Sequence, residues 1–156
     1  KNWIDLGWHN MVNNPALTPA LIEKYINDFD TNSYVDLDEK INRLSANPNL
    51  TPAFIEKYKD TLNWNTLSSN PNLTPAFIEK YNFKWNWINL SMNPSLTPAL
   101  IEKYIDKVRW HFLSENPSLT PALIEKYKDK LNWDELSENP AIFAVEYGVV
   151  NHMGWV

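Results

Sequence analysis

The chain of 156 residues has no cysteine and only 3 glycines. Without cysteine it can form no disulfide, no thiolate nucleophile and no cysteine-ligated metal. Its net charge is −5, so no chain-wide basic charge would attract nucleic acid or anionic lipid. No apolar run approaches the roughly 20 residues of a membrane-spanning helix. Because 44% of the residues are hydrophobic, the chain still has enough apolar material for one domain of ordinary size.

The chain also lacks the patterns of a leader peptide and of an enzyme. No signal-peptide pattern opens it, and because it begins at Lys1 rather than at Met we interpret its start as a trimmed or processed end. It has no nucleophile elbow and no glycine-rich phosphate loop. His9, His111 and His152 fall at unrelated positions and offer no ligand spacing. We therefore expect no enzymatic activity, no catalytic residues and no cofactor.

What the chain does have is an internal repeat. The segment Leu-Thr-Pro-Ala-(Leu/Phe)-Ile-Glu-Lys-Tyr occurs five times, beginning at Leu17, Leu50, Leu73, Leu96 and Leu119. An Asn-Pro pair precedes each copy, and a sixth pair follows the last copy. The prolines of these pairs lie at positions 15, 48, 71, 94, 117 and 140. The first step along this series is 33 and each of the other four is 23. A fixed period of this size is the signature of a stacked repeat architecture.

Each repeat predicts two short helices. Thr74 followed by Pro75 indicates a helix start, because the hydroxyl can accept from the first free amides and proline has no amide to leave unpaired. Asn63 is placed to cap a shorter helix upstream, and Asn132 with Glu135 has the spacing of a capping box. We expect the longer helices to contain about ten residues. They are predicted to start at Thr18, Thr51, Thr74, Thr97 and Thr120.

These elements predict an all-α fold, an α-solenoid of about six 23-residue helix-turn-helix repeats with terminal caps. Helices of two or three turns are too short to be stable alone, so stacking on neighbours must stabilise them. We divide the single repeat domain, residues 1–156, into four parts. They are a leading unit (1–16), a first long helix with an acidic insertion (17–40), regular repeats (41–138) and a C-terminal cap (139–156).

Aromatic and leucine side chains recur once per repeat on the shorter helices. Tryptophan and leucine at i and i+3 share one helical face, so we predict that both pack in the core. The alternative is an aromatic platform for single-stranded nucleic acid or a peptide. The side chains expected to be buried are Trp64, Trp87, Trp110, Leu67, Leu90 and Leu113.

Polar residues recur with the same period. The asparagine before each proline is predicted to bond backbone groups freed at the turn rather than a ligand. The glutamates and lysines of the repeated segment form an acidic row beside a basic row, which we interpret as a solvated face. The alternative is a charged strip that sets register with a partner. The asparagines are Asn14, Asn47, Asn70, Asn93, Asn116 and Asn139.

The longer interval, between Pro15 and Pro48, contains an acidic insertion. Read as a twelve-residue loop from Asp28, it has acids or amides at places 1, 3, 5, 9 and 12, which resembles an EF-hand calcium loop. Ser33 replaces the glycine of the sharp turn. We interpret the segment as a solvated acidic insertion and expect no metal site, with calcium binding as the alternative. The calcium ligands would then be Asp28, Asp30, Asn32, Asp36 and Glu39.

The repeat resembles two known families. Asn-Trp-x-x-Leu-Ser-x-Asn-Pro-x-Leu-Thr-Pro is similar, over nearly the whole chain, to the short tandem repeats of giant, mimivirus-like double-stranded DNA viruses of protists. That resemblance implies a viral protein, with the virion or the host cytoplasm as its location. The Asn-Pro-x-Leu-Thr-Pro core also resembles the leucine-rich repeat variant, an α-solenoid family. This chain has one more residue between the two prolines and no cysteine cluster, so no iron–sulfur site is implied.

The function that follows is a non-enzymatic scaffold that contacts other proteins in a larger assembly. Nucleic-acid binding is not expected, and a calcium-responsive binding module is the alternative. Exposed apolar residues usually mark an interface, so we predict contacts through the chain ends, the Glu and Lys rows, or both. The apolar end residues are Trp3, Ile4, Leu6, Trp8, Val149, Val150, Met153, Trp155 and Val156.

Overall fold

The computed structural model describes residues 14, 16–28, 41–42 and 44–142. Throughout these residues the regular structure is helical and no β-strand occurs, which confirms the all-α class. Residues 1–13, 29–40 and 143–156 contain most of the predicted leading unit, acidic insertion and C-terminal cap, and they lie outside the described residues. The chain divides into two compact units, Lys1–Lys84 (unit 1) and Trp85–Val156 (unit 2).

Nine helices are defined within the described residues, and short helical stretches also occur at 41–42 and 140–142. From α2 onward, helices that begin at proline alternate with helices that begin at tryptophan. In chain order they are α1 (Pro19–Asp28), α2 (Pro52–Lys57), α3 (Trp64–Leu67), α4 (Pro75–Lys80), α5 (Trp87–Met92), α6 (Pro98–Lys103), α7 (Trp110–Leu113), α8 (Pro121–Tyr127) and α9 (Trp133–Glu138).

The predicted helix starts are confirmed. The hydroxyl of Thr74 accepts a hydrogen bond from the amide of Phe77 at 3.2 Å, and Pro75 is the first helical residue. The four other repeated threonines accept the equivalent bond three residues on. Threonine supplies the acceptor and proline removes one unpaired donor, so this start is encoded locally.

The proline-initiated helices of the regular repeats are shorter than predicted. They contain six or seven residues rather than about ten. In α2, α4 and α6 the tyrosine that follows leaves the helical region, with φ near −113° and ψ between 19° and 31°. The amide of Lys84 then donates a hydrogen bond to the main-chain carbonyl of Tyr81 at 2.8 Å, which closes a tight turn. Only four residues separate each of these tyrosines from the next helix N-cap, so the chain must turn at once.

The tryptophan-initiated helices are capped by asparagine except in one repeat. Asn63, Asn86 and Asn132 each accept from the first-turn amides of α3, α5 and α9. Arg109 takes this position before α7 and makes no side-chain cap bond. Its backbone, at φ −103° and ψ 104°, is already extended like that of Asn63 at −77° and 104°. Only the accepting side chain is therefore missing at Arg109.

Arg109→Asn is expected to raise the free energy of unfolding by about 1 kcal/mol, because it adds a missing N-cap without a change of backbone. The reciprocal change, Asn63→Arg, should lower it by a similar amount. Chemical denaturation of both variants measures the two effects. If Arg109→Asn leaves the unfolding midpoint unchanged while Asn63→Arg lowers it, capping is not what distinguishes these positions.

In both units, buried apolar residues recur at the same positions of each repeat. The leucine before each threonine cap and the isoleucine inside each proline-initiated helix are buried in every repeat. The leucines of the tryptophan-initiated helices are buried as predicted, with Leu67, Leu90 and Leu113 at most 1% exposed. A further buried column lies two residues before each tryptophan and was not predicted. Its members are Leu62, Trp85, Val108 and Leu131.

The prediction that Trp64, Trp87 and Trp110 are buried is wrong, because each of them is only half-buried. Trp133 is 53% exposed. An indole N–H needs an acceptor when it leaves water. Trp64 donates from Nε1 to the Lys59 carbonyl at 2.8 Å, which holds its ring at the edge of the fold. The smaller leucine three residues on fills the interior instead.

Candidate functional site

Within each unit, the repeated asparagines join one repeat to the repeat before it. Asn116 is fully buried, and its Oδ1 accepts from the amide of Ser118 at 2.7 Å. Its Nδ2 donates to the carbonyls of Ser91 and Asn93 in the preceding repeat at 2.6 and 2.9 Å. Asn139 repeats this arrangement with Ala141, Ser114 and Asn116. One side chain therefore closes its own turn and binds the neighbouring turn.

Unit 1 contains the same arrangement. Asn70 accepts from the amide of Asn72 at 2.9 Å and donates to the carbonyl of Asn47 at 2.8 Å. Asn47 in turn accepts from Asn49 and lies 3.5 Å from the carbonyl of Asn14. Asn14 is exposed, whereas Asn47 and Asn70 are at most 2% exposed. The predicted structural role of this column is confirmed, since its amides bind backbone groups at the turns.

The repeated serines form a second link between repeats, which the sequence did not suggest. Ser114 Oγ donates to the Trp110 carbonyl at 2.9 Å and accepts from the Asn132 amide at 2.8 Å. Ser91 does the same with Trp87 and Arg109. The Asn132 amide is thus bound to the serine instead of to Glu135, the partner that the capping-box spacing predicted. Ser45, Ser68, Ser91 and Ser114 are fully buried.

A tryptophan, a tyrosine and a lysine meet in three repeats, and all of them are at least partly exposed except Tyr81, which is buried. We call each group an aromatic–lysine cluster. The rings of Trp110 and Tyr127 are 5.1 Å apart, and Lys130 Nζ lies 5.0 Å from the Trp110 ring centroid. These distances suit ring packing and cation–π attraction. The clusters are Trp64, Tyr81 and Lys84 in unit 1, and Trp87, Tyr104 and Lys107 with Trp110, Tyr127 and Lys130 in unit 2.

The acidic and basic rows pair across repeats. Glu56 accepts from Lys80 Nζ at 2.9 Å and from the Tyr81 hydroxyl at 2.5 Å. Glu102 accepts from Lys126 at 2.8 Å and from the Tyr127 hydroxyl at 3.1 Å. We call these two groups the inter-repeat clamps. The rows are exposed, as predicted, apart from half-buried Glu56, but charges of the two rows bind each other one repeat apart.

The clamps shift the acidity of their carboxylates. Bonds from the Tyr81 hydroxyl, Lys80 and Lys59 lower the pKa of Glu56 from its ordinary 4.5 to about 2. The hydrogen bond from Lys126, with a smaller contribution from the Tyr127 hydroxyl, lowers the pKa of Glu102 as well. The carboxylate of Glu56 is therefore ionised in the folded chain well into the acidic range.

The free energy of unfolding should fall as the pH drops from about 4.5 toward 2. The pKa of Glu56 is lower in the folded chain than in the unfolded chain, so its carboxylate stabilises the fold above pH 4.5. That contribution is lost as the carboxylate becomes protonated. Glu56→Gln is expected to flatten this dependence. Melting temperatures measured across this pH range for wild type and Glu56→Gln test it. Asp129→Asn removes an exposed carboxylate outside the clamps, so its melting temperature should depend on pH as that of wild type does. If the melting temperature of Glu56→Gln also keeps the wild-type pH dependence, Tyr81 and Lys80 do not act on Glu56.

A histidine and two glutamates lie together in unit 2. His111 belongs to α7, Glu115 follows one turn later, and Glu135 lies in α9 of the next repeat. One ligand atom from each lies within 4.8 Å of the others. His111 Nε2 is 3.7 Å from Glu135 Oε1. The spacing of the histidines did not reveal this group, because Glu135 belongs to a different repeat and only the stacking of repeats brings it to His111.

Nearly all of the predicted calcium ligands lie outside the described residues. Asp28 is the last residue of α1, and Asp30, Asn32, Asp36 and Glu39 lie outside the described part of the chain. The apolar end residues at 3–8 and 149–156 lie outside it as well. Within the described part, no helix combines the length and hydrophobicity that crossing a bilayer requires.

Comparisons with known proteins do not identify this chain. No family model, no curated protein and no solved structure matches it.

Proposed function

We propose that the chain is a non-enzymatic α-solenoid of about six repeats that binds other proteins, and that the aromatic–lysine clusters form its binding surface. The observation that carries this proposal is the recurrence of the cluster. The same three residue types meet with ring distances of 5.1 to 5.3 Å in three repeats. Identical groups at a fixed period offer a partner several equal contacts, as repeat proteins do.

The links between repeats support the solenoid. Within unit 2, Asn116, Asn139 and Ser114 bind main-chain groups of an adjacent repeat. Within unit 1, Asn70 binds the main-chain carbonyl of Asn47 in the same way, and Glu56 pairs with the side chain of Lys80 one repeat on. Each repeat thus depends on its immediate neighbour, which is the organisation of quasi-one-dimensional proteins.

The composition of the clusters supports protein binding. Tryptophan and tyrosine are enriched at protein interfaces, where truncating a central residue costs the most binding energy. Trp133, the first residue of α9, is 53% exposed, so its surface is open to contact. Interfaces combine such rings with a polar rim. The inter-repeat clamps supply charged groups of that kind beside Tyr81 and Tyr127.

The polar residues of the repeat favour a binding protein over an enzyme or a nucleic-acid binder. The hydroxyl oxygens of Ser91 and Ser114 accept hydrogen bonds from main-chain amides, so these serines are not placed to act as nucleophiles. Lys80 and Lys126 are paired with glutamates, and the chain carries a net charge of −5. Phosphate binding would need uncompensated cations. Because the repeat resembles those of giant viruses, we also propose that the partner belongs to a viral assembly.

Cross-linking followed by affinity capture with the intact chain tests the proposal. Lys130→Glu reverses a charge in one cluster, and Arg109→Glu makes the same charge change outside the clusters. A protein partner should bind wild type and Arg109→Glu equally, and should bind Lys130→Glu roughly tenfold more weakly, which is about 1.4 kcal/mol. A purified chain that finds no protein partner and binds single-stranded nucleic acid at physiological salt would overturn the proposal.

A further inference from the structure

The group of His111, Glu115 and Glu135 has the donor set of a transition-metal site. It offers one imidazole nitrogen and two carboxylate oxygens, all within 4.8 Å of one another. Zn²⁺ bound by three protein ligands and a water takes such donors at about 2.0–2.2 Å, which places neighbouring donors roughly 3.4 Å apart. The distance between His111 Nε2 and Glu135 Oε1 is 3.7 Å, close to that separation.

We propose that His111, Glu115 and Glu135 bind one divalent transition-metal ion, with Zn²⁺ as the best match, and that the ion joins two successive repeats of unit 2. An imidazole ligand favours zinc and its neighbours over calcium and magnesium, which take oxygen ligands only. Two carboxylates balance the charge of the ion. His111 and Glu115 are exposed and Glu135 is half-buried, so modest side-chain rotations suffice to close the ligand set. This inference does not depend on the proposed protein binding.

The neighbour of the imidazole sets how tightly the ion binds. Asn132 Oδ1 accepts from the Asp134 amide at 3.0 Å, so its Nδ2 faces His111 Nδ1 at 2.7 Å as a donor. The neutral ring therefore carries its proton on Nε2, which faces Glu135. When a metal binds Nε2, the proton must move to Nδ1. There it faces Nδ2 of Asn132, which is a donor and cannot accept a hydrogen bond from it. Wild-type affinity is limited by this mismatch.

Replacing Asn132 by aspartate removes the mismatch. One carboxylate oxygen can still cap α9 at the Asp134 amide, since aspartate and asparagine are equally good N-caps. The other can accept from the protonated Nδ1, forming the carboxylate–histidine–metal arrangement of natural zinc sites. Such supporting contacts change metal affinity by about 10–100-fold. Asn132→Asp is thus expected to tighten Zn²⁺ binding by roughly that factor.

Calorimetric titration of the intact chain with ZnCl₂ at neutral pH, together with its melting temperature, tests the proposal. Wild type should bind one equivalent and melt at a higher temperature. His111→Ala should lose both effects, Glu135→Gln should weaken binding at least tenfold, and His9→Ala and His152→Ala should behave as wild type. Ser137→Asp adds the same charge at another, exposed position of α9, so it separates a general charge effect from the contact at Asn132.

Three results would overturn the proposal. They are no zinc uptake by wild type at millimolar ZnCl₂, unchanged uptake in His111→Ala, and equal tightening in Asn132→Asp and Ser137→Asp. Because the three ligands are not part of the buried core, these substitutions should leave the helical circular dichroism spectrum unchanged. Metal binding can therefore be read without loss of the fold.

Discussion

Asn116→Asp is expected to destabilise the protein by roughly 3–5 kcal/mol, the range for a buried charge left without its partner. The substitution conserves size and keeps the acceptor that binds the Ser118 amide. It replaces the amide donors by an oxygen that faces the carbonyls of Ser91 and Asn93. A fully buried carboxylate next to two carbonyl oxygens loses two hydrogen bonds and gains repulsion.

Denaturant unfolding of Asn116→Asp measures this loss, and its pH dependence tests the cause. The difference from wild type should shrink as the pH falls, because a protonated carboxyl can donate to one of the two carbonyls. Asn42→Asp, at an exposed position, should change stability by less than about 0.5 kcal/mol. A loss below about 1 kcal/mol in Asn116→Asp would show that this amide does not hold the repeats together.

Leu90→Ala is expected to cost about 3–5 kcal/mol, because Leu90 is fully buried and its removal leaves a cavity. Trp87→Ala, in the same helix, should cost less, about 2 kcal/mol, although it deletes more atoms. Its ring is half-buried, and it loses partial burial, the contact with Tyr104 and the attraction of Lys107.

The two variants form a matched pair three residues apart in α5. Denaturant unfolding of both, at equal protein concentration, ranks leucine against tryptophan. The structure predicts that the leucine variant is the less stable one. The reverse order would mean that the tryptophan column contributes more to the core than the leucine column does, against the burial seen in the structure.

Local signals in the sequence predicted much of the fold. Thr74, Pro75 and Asn63 act within their own turns, so their roles as helix starts and caps can be inferred from neighbouring residues alone. The role of Asn70 was also predictable, because an amide before proline at every turn has backbone groups to bind.

Contacts between repeats were harder to predict. Ser114 binds the amide of Asn132, and His111 meets Glu135 of the next repeat. Neither spacing along the chain equals the period of the repeat, because each contact depends on how far one repeat is displaced on the next. The exposure of Trp64 was missed for a related reason. A spacing of i and i+3 places two residues near one face but does not say which of them lies at its edge.

The sequence predicted the charged residues of the clamps and the tryptophans of the aromatic–lysine clusters, but it did not predict how these residues contact one another. The glutamate and lysine rows were recognised, whereas their pairing across repeats depends on stacking. The aromatic–lysine cluster likewise draws Trp110, Tyr127 and Lys130 from three consecutive segments of one repeat. Only the turn after the tyrosine brings these side chains together.

Hydrogen exchange of the asparagine side-chain amides, followed by NMR, tests most directly whether buried asparagines join successive repeats. The Nδ2 protons of Asn116 and Asn139 each bind two carbonyls of the preceding repeat in a buried site. They should exchange only when the repeats separate, and therefore far more slowly than those of exposed Asn42. Exchange of Asn116 and Asn139 as fast as that of Asn42 would contradict the account.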